Sequence, residues 1–308
     1  MFHFQNPAVL GTVVDVTVAA VDGDVADKAA AVLFNEIDRL QSVFSAFDSG
    51  SELSRWRGAV EPSGEPYSVE FGRLMDEALR WQRLTEGLFN PLIGEITDRW
   101  EAAATAGVVP EAPDLRRGAE TIIEPRFKIV EGQPVRIGDC SRLNLNALAK
   151  GFIVDCAVAT VGREVEVAEL LVNAGGDIRH RGANPVRVGV ENPVLAFDNE
   201  PPLTVIEIQN EAVASSGSGR RAFAVDGRTY SHIIDPRTGQ PATGAAGVSV
   251  VAGSAIVADV VATAAVILTP DEGLGFVERL TEVEPMAALI VDHDQGIHRS
   301  SGWSERFS

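Results

Sequence analysis

Cysteine is nearly absent from this chain: Cys140 and Cys156 are the only two among 308 residues. They form no CxxC pair, which argues against a structural zinc site, and two cysteines make no disulfide framework. Cys156 lies in a stretch of helical spacing and reads as a small buried hydrophobe. Positive charge is also scarce. With 26 Lys and Arg against 44 Asp and Glu, the formal net charge is -18. Such a surface repels phosphate backbones and anionic lipid, so nucleic acid and membrane surfaces are poor partners. An anionic nucleotide would equally need a cation or local amide donors in order to bind. The first residues, MFHFQNPAVLGT, contain no basic n-region, no long apolar h-region and no cleavage site. As it stands the chain reads as cytoplasmic, or as extracytoplasmic if a leader was removed. There is no uninterrupted apolar run of spanning length. Residues 248–268 are the most apolar, but Ser249, Gly253, Ser254, Asp259 and Thr263 break them up, which disfavours a membrane span. Internal repeats and low-complexity tracts are also missing.

What is present is an ordinary globular composition, 45% hydrophobic and 23% charged. The length exceeds the usual single-core size and predicts one large domain or two closely packed lobes. Residues 11–21 are β-branched and partly alternating, which predicts a strand. Helical spacing follows at 25–44 and 69–85, with a shorter helix over 92–104 and another over 147–161. Between the first two helices, residues 45–64 are polar and turn-rich, and 107–125 reads as a surface connection. Short strands are predicted at 127–130, 135–137, 142–145, 170–172, 186–190, 204–209, 212–215 and 222–225. Two helices, 255–268 and 271–280, precede closing strands at 286–291 and 296–299. Strand runs with interspersed helices and no regular βαβ alternation indicate an α+β fold with mixed or antiparallel sheets and flanking helices.

Several segments have chemical potential. Residues 255–268 (AIVADVVATAAVIL) hold a single ionisable side chain, Asp259, with Thr263 one turn further on the same face. A bare carboxylate there costs several kcal/mol, roughly, unless it is paired or metal-bound. A carboxylate and a hydroxyl are hard oxygen donors suited to Mg²⁺. Spacing alone equally allows Asp259 to accept amide hydrogen bonds and Thr263 to bond back to its own helix. His232 stands between β-type residues and the turn Asp235-Pro236-Arg237-Thr238-Gly239, a position that suits a general base or, as readily, a structural histidine. Lys150 is expected in the first turn of a helix, where free amides and an ammonium group favour phosphate, although the P-loop pattern is absent. The segments 173–177 (NAGGD) and 215–219 (SSGSG) offer close backbone approach to a phosphate or ring edge, or are plain turns. No nucleophile elbow is matched, so a serine hydrolase has no support. Asp292-His293-Asp294 reads as a solvated hairpin turn in preference to a cation site.

The order and wording of these segments carry more than any one of them. Leu10-Gly11-Thr12, then 44–55 (FSAFDSGSELSR), 85–91 (TEGLFNP), 144–155 (NLNALAKGFIVD), 171–179 (LVNAGGDIR), 214–217, 230–241 (YSHIIDPRTGQP) and 258–263 (ADVVAT) run in register across nearly the whole chain. In this it resembles the ApbE family, the FAD:protein FMN transferases. The resemblance implies one ApbE-like domain over 1–308. It implies a Mg²⁺ site made by Asp259, Thr263 and the carbonyl of Ala147, and His232 as the base that deprotonates a Thr or Ser hydroxyl of an acceptor flavoprotein. FAD would be the substrate, with Leu10, Phe47, Leu88, Phe89, Asn90, Asn144, Lys150 and Ile233 around it. The chain departs from the family pattern at four places. Asn144 and Asn90 stand where Asp is common, Asn146 where Gly or Ser is common, and Phe47 where Tyr is frequent. Each Asp-to-Asn change keeps hydrogen bonding and removes a charge. A metal-dependent FAD pyrophosphatase and a non-catalytic FAD-binding protein are the alternative readings of the same residues.

Overall fold

The computed structural model describes residues 1–58, 66–194, 201–217 and 222–304. The chain opens with strands β1 (Phe2–Val9) and β2 (Thr12–Ala19), then helices α1 (Gly23–Phe44), α2 (Glu52–Gly58), α3 (Val69–Leu84), α4 (Gly94–Ala106) and α5 (Ala112–Thr121). Strands β3 (Phe127–Val130) and β4 (Gln133–Arg136) lead to α6 (Asn146–Glu164). Seven strands follow: β5 (Glu169–Ala174), β6 (Asp177–Gly182), β7 (Val186–Val190), β8 (Thr204–Ile208), β9 (Ala212–Gly217), β10 (Ala222–Val225) and β11 (Arg228–Ser231). The chain then forms β12 (Gly247–Ala252), α7 (Ala255–Ala265), α8 (Pro270–Leu280), β13 (Met286–Val291), β14 (Ile297–Arg299) and α9 (Ser301–Ser304). The α+β expectation holds.

Eight strands make one sheet in the order β1-β2-β5-β6-β9-β12-β13-β14, and every pair in it is antiparallel. Its inward face follows from strand alternation: Val14, Val16 and Val18 point into the core while their neighbours in β2 are more exposed. Helix α1 begins where the Asp22 carboxylate accepts the Val25 N–H at 2.9 Å. Its Leu33, Ile37, Leu40 and Phe44 recur at helical spacing and are all buried. Phe44 meets Phe71 of α3 and, edge-on, Phe152 of α6, which ties three helices into one core.

Strand β12 is buried along its whole length. Val248 and Val250 face the helices, whereas Val251 faces a second apolar cluster with Ile206 of the β7–β8 hairpin and Trp303 of α9. A strand covered on both faces loses its alternation. For that reason residues 248–254 read in the sequence as an apolar run with no strand assigned.

Other expectations need correcting. Residues 107–125 are no bare connection, because α5 forms there. Its helix starts with Pro at the first turn, and Leu115, Ala119 and Ile122 are buried at helical spacing. Residues 142–145 are not a strand. Leu143 and Leu145 are buried and alternate with more exposed neighbours, but the Asn144 N–H goes to Pro91 O in a turn that leads into α6. The turn-rich stretch 45–64 contains α2, with Leu53 and Trp56 buried, and its residues 59–64 lie outside those described. Strands β1, β6 and β11 were not anticipated.

Candidate functional site

Two helices and one hairpin turn build the site. Helix α7 is buried at every residue except Thr263. Its sequence supplies no cap of its own, since Ser254 makes no side-chain bond to the first turn. Helix α6 packs against it backbone to backbone at Gly151, where a Cβ would come within 2.6 Å of Ala255 and Ile256. The β5–β6 hairpin turns through Gly175 and Gly176, both at positive φ, and delivers Asp177 to the same region.

Asp259 is only 7% exposed, and its Oδ2 has no hydrogen-bond partner among the described residues. Asp177 is buried beside it, and Lys150 of α6 forms an ion pair with Asp177 Oδ2. Burial first, and the Asp177 carboxylate second, push the Asp259 carboxyl well above the usual carboxylate range, while the Lys150 charge pulls the other way. Thr263 Oγ1 lies 3.1 Å from Ser216 Oγ of β9. An orphaned buried carboxylate oxygen next to a hydroxyl and an ion pair is costly unless something fills the gap. A hard divalent cation fits this donor set, since it takes oxygen ligands and supplies the missing positive charge. Among the described residues no group of three or more His, Cys, Asp or Glu is placed to hold a metal.

The structure thus brings Asp259, Thr263, Lys150 and Ala147 onto two touching helices. Lys150 falls just past the first turn of its helix, one residue further in than expected, because α6 starts at Asn146. Its ammonium is already engaged with Asp177, a residue the sequence marked only as part of a glycine turn. Asp177, Asp155 and Ser216 complete the surroundings. All three lie in segments that the sequence marks, 173–177, 144–155 and 215–219, but none of them is singled out there.

The remaining expected residues come from other elements. Leu10 forms the β1–β2 turn with φ 54, an unusual conformation for a branched residue, and its N–H is bound by the Gln41 side chain. Phe47 is fully exposed at 100%. Leu88 and Phe89 are buried, and the Phe89 N–H is held by Thr85 Oγ1 at 3.0 Å. Asn90 is buried too, and both ends of its amide are used locally: Nδ2 donates to Ile122 O at 2.7 Å and Oδ1 accepts from the Leu92 N–H at 2.9 Å. Asn144 Oδ1 accepts the Asn146 N–H at the start of α6. His232 is half-buried, one residue past the end of β11, and Ile233 is buried beside it. The loop after them is rigid in construction. Asp235 N–H bonds Gln240 O, Ala242 N–H bonds Ile233 O, and Trp100 Nε1 of α4 donates to Gly239 O at 3.0 Å. Asp235 also pairs with Arg237. The 215–219 turn is described only as far as Gly217, where it ends β9, and residues 218 and 219 lie outside. Asp292 closes the β13–β14 hairpin by accepting the Asp294 and Gly296 N–H groups, in line with the turn reading. Both thiols are pushed up to about 11 by burial and are poor nucleophiles at neutral pH.

The family model described as "ApbE family" matches residues 10–287, a span that includes every residue of this cradle. The chain belongs to the ApbE family. An FAD:protein FMN transferase of Vibrio cholerae is 33% identical over 292 residues, 90% of this chain and 84% of that protein. One of Haemophilus influenzae is 28% identical over 76% of this chain and 71% of its own. Among solved structures, the flavin transferase ApbE from Vibrio cholerae has a TM-score of 0.78 at 25% identity, covering 99% of both chains. The ApbE protein of Thermotoga maritima has a TM-score of 0.84 at 24% identity, covering 99% of this chain and 98% of its own, and shares the fold. The antiparallel sheet and flanking helices are therefore the ApbE architecture. Among the described residues no helix is long and apolar enough to cross a membrane.

Proposed function

We propose that this ApbE-family chain is an FAD:protein FMN transferase that attaches FMN to a Thr or Ser hydroxyl of an acceptor flavoprotein and releases AMP. The observation that carries the reading is the unsatisfied Oδ2 of Asp259, buried next to Thr263 in a family whose named members use FAD. Asp259, Thr263 and the Ala147 carbonyl would hold Mg²⁺, which when bound offsets the pyrophosphate charge and polarises its P–O bond. This also explains how a chain of net charge -18 accepts an anionic dinucleotide. Lys150 holds Asp177 in place and adds a cation beside the phosphates. His232, on its short rigid loop, takes the proton of the acceptor hydroxyl. The acceptor oxygen then bonds to the FMN phosphorus while the pyrophosphate P–O bond breaks, and AMP carries the leaving oxygen away. Leu10, Phe47, Leu88, Phe89, Asn144 and Ile233 would border the FAD. Phe47, open to solvent on its loop, suits contact with a flavin ring. Asn90 serves the same pocket from behind, by fixing the 88–92 turn to the end of α5.

The test is an incubation with FAD, Mg²⁺ and an FMN-binding acceptor domain, read as flavin fluorescence on a denaturing gel. A fluorescent acceptor band that disappears with chelator is expected. Free FMN and AMP with no labelled band would mean a pyrophosphatase, and intact FAD a storage protein.

A further inference from the structure

The first turn of α7 is capped from another helix. Asp155 of α6 accepts the Ala255 N–H through Oδ1 at 3.0 Å and the Ile256 N–H through Oδ2 at 3.0 Å. Arg179 of β6 donates Nε to the same Oδ1 at 3.0 Å, and its Nη1 is bound to the carbonyls of His180 and Glu211. One carboxylate therefore joins three elements of the site. Along α6, Ala147 lies two turns before Asp155 and Lys150 lies between them. Asp259 follows one turn after Ala255 on α7, and Asp177 stands two residues before Arg179 on β6. The amides that Asp155 binds are those with no other partner at a helix start, and the anion complements the positive end of α7. The bonds set how far α7 slides along α6 and how it is rotated.

Resting on the function proposed above, we infer that Asp155, braced by Arg179, is a positioning residue for the cation site. It fixes the spacing between the Ala147 carbonyl on α6 and the oxygens of Asp259 and Thr263 on α7, and so sets the affinity for the metal. Both Asp155 oxygens are taken up by the Ala255 and Ile256 amides and Arg179 Nε, so it acts through α7. An Asn in its place keeps one acceptor oxygen for two amides, and its NH₂ group faces a second donor. Outer groups that orient metal ligands typically control affinity by about 10–100-fold.

The experiment measures Mn²⁺ binding to the folded, FAD-free protein by paramagnetic resonance, together with the Mg²⁺ dependence of turnover. Asp155→Asn is expected to raise the Mn²⁺ dissociation constant at least about tenfold. Half-saturating Mg²⁺ should rise in step while turnover at saturating Mg²⁺ stays within a few-fold. A residue that serves only stability would lower the melting temperature and leave the affinity of the folded fraction unchanged. Parental affinity in folded Asp155→Asn overturns the inference, as does a loss of saturating turnover at unchanged affinity. If Asp155→Asn does not fold, Arg179→Gln carries the test, because it keeps the carboxylate and removes its brace. A rise of about threefold is expected, and parental affinity in that variant overturns the inference as well. Mn²⁺ binding that survives Asp259→Ala would instead sink the metal assignment itself, which separates the two failures.

Discussion

Gly151 is where the geometry of the cradle is most exposed to a single methyl group. A Cβ at this position would stand 2.6 Å from the carbonyl carbon of Ala255 and from the nitrogen of Ile256, and 2.7 Å from Ala255 O. Ordinary contact begins at 3.4 Å, so the two helices must part by about 0.8 Å. The obstructing atoms are backbone and have no rotamer to escape into. Ala is favoured over Gly inside a helix by about 0.5–1 kcal/mol, and overpacking a close contact costs about 1–3 kcal/mol. With backbone on the far side the upper part of that range applies, so Gly151→Ala should destabilise the fold by about 2 kcal/mol. In a chain of this size that lowers the melting temperature by roughly 3 °C. The same displacement moves Asp259 and Thr263 relative to Ala147 and stretches the bonds from Asp155 to Ala255 and Ile256. Calorimetric melts with and without Mg²⁺ read both effects: a lower transition, and a smaller upward shift on adding Mg²⁺. A variant that melts at or above the parent, with an undiminished Mg²⁺ shift, would refute the backbone-contact reasoning.

Asp259→Ala should abolish Mg²⁺-dependent FAD turnover, and activity near the parent's would remove Asp259 from the metal site. His232→Ala should slow transfer by about 10²–10⁴-fold if His232 is the general base, and a rate within a few-fold of the parent would return it to a structural role. The raised Asp259 pKa fixes a sign for the pH dependence. A carboxyl that binds its proton more tightly folded than unfolded adds stability below its ordinary pKa. That contribution is lost as pH rises through the folded value. If Asp259 holds Mg²⁺ as proposed, the cation displaces this proton, and its apparent affinity should rise with pH across that window with release of about one proton. Calorimetric titration in two buffers of different ionisation heat counts it, and binding without proton release at the low end of the window would contradict the assignment. Asn90→Asp should cost about 1–3 kcal/mol, because a carboxylate cannot donate to the Ile122 carbonyl. Urea unfolding measures this, and an unchanged midpoint would show the amide to be dispensable.

What could be read from the sequence follows the range of the interactions involved. Helix α7 was legible because its signal is local: an apolar run broken by one Asp and one Thr at helical spacing. Helices α1 and α3 were legible for the same reason, with caps and buried faces inside one continuous segment. Strand β12 was not, since its two covered faces remove the alternation that marks a strand. The 142–145 segment misled in the opposite way, showing strand-like alternation where the backbone amide of Asn144 bonds Pro91 and, among the described residues, no strand pairs with it. Within the site, the parts that escaped are those whose partners are distant. Lys150 meets Asp177 across 27 positions, and Ala255 meets Asp155 across 100. Composition and periodicity contain neither pairing. Only the fold brings them together.

The two Asn substitutions for Asp show how position decides what a lost charge means. Asn144 uses its carbonyl oxygen to accept the Asn146 N–H, which an Asp would do equally well. At that position the change therefore subtracts charge beside the expected nucleotide pocket and leaves the local turn intact. Asn90 is the reverse case. Its oxygen accepts from Leu92 while its NH₂ group donates to Ile122, so both functions of the amide are spent inside the protein at 4% exposure. A charge there would be buried with a carbonyl oxygen against it. The expectation of an altered flavin contact thus narrows to Asn144 and Phe47. At position 90 the departure from the family pattern secures the turn that carries Leu88 and Phe89 to the end of α5.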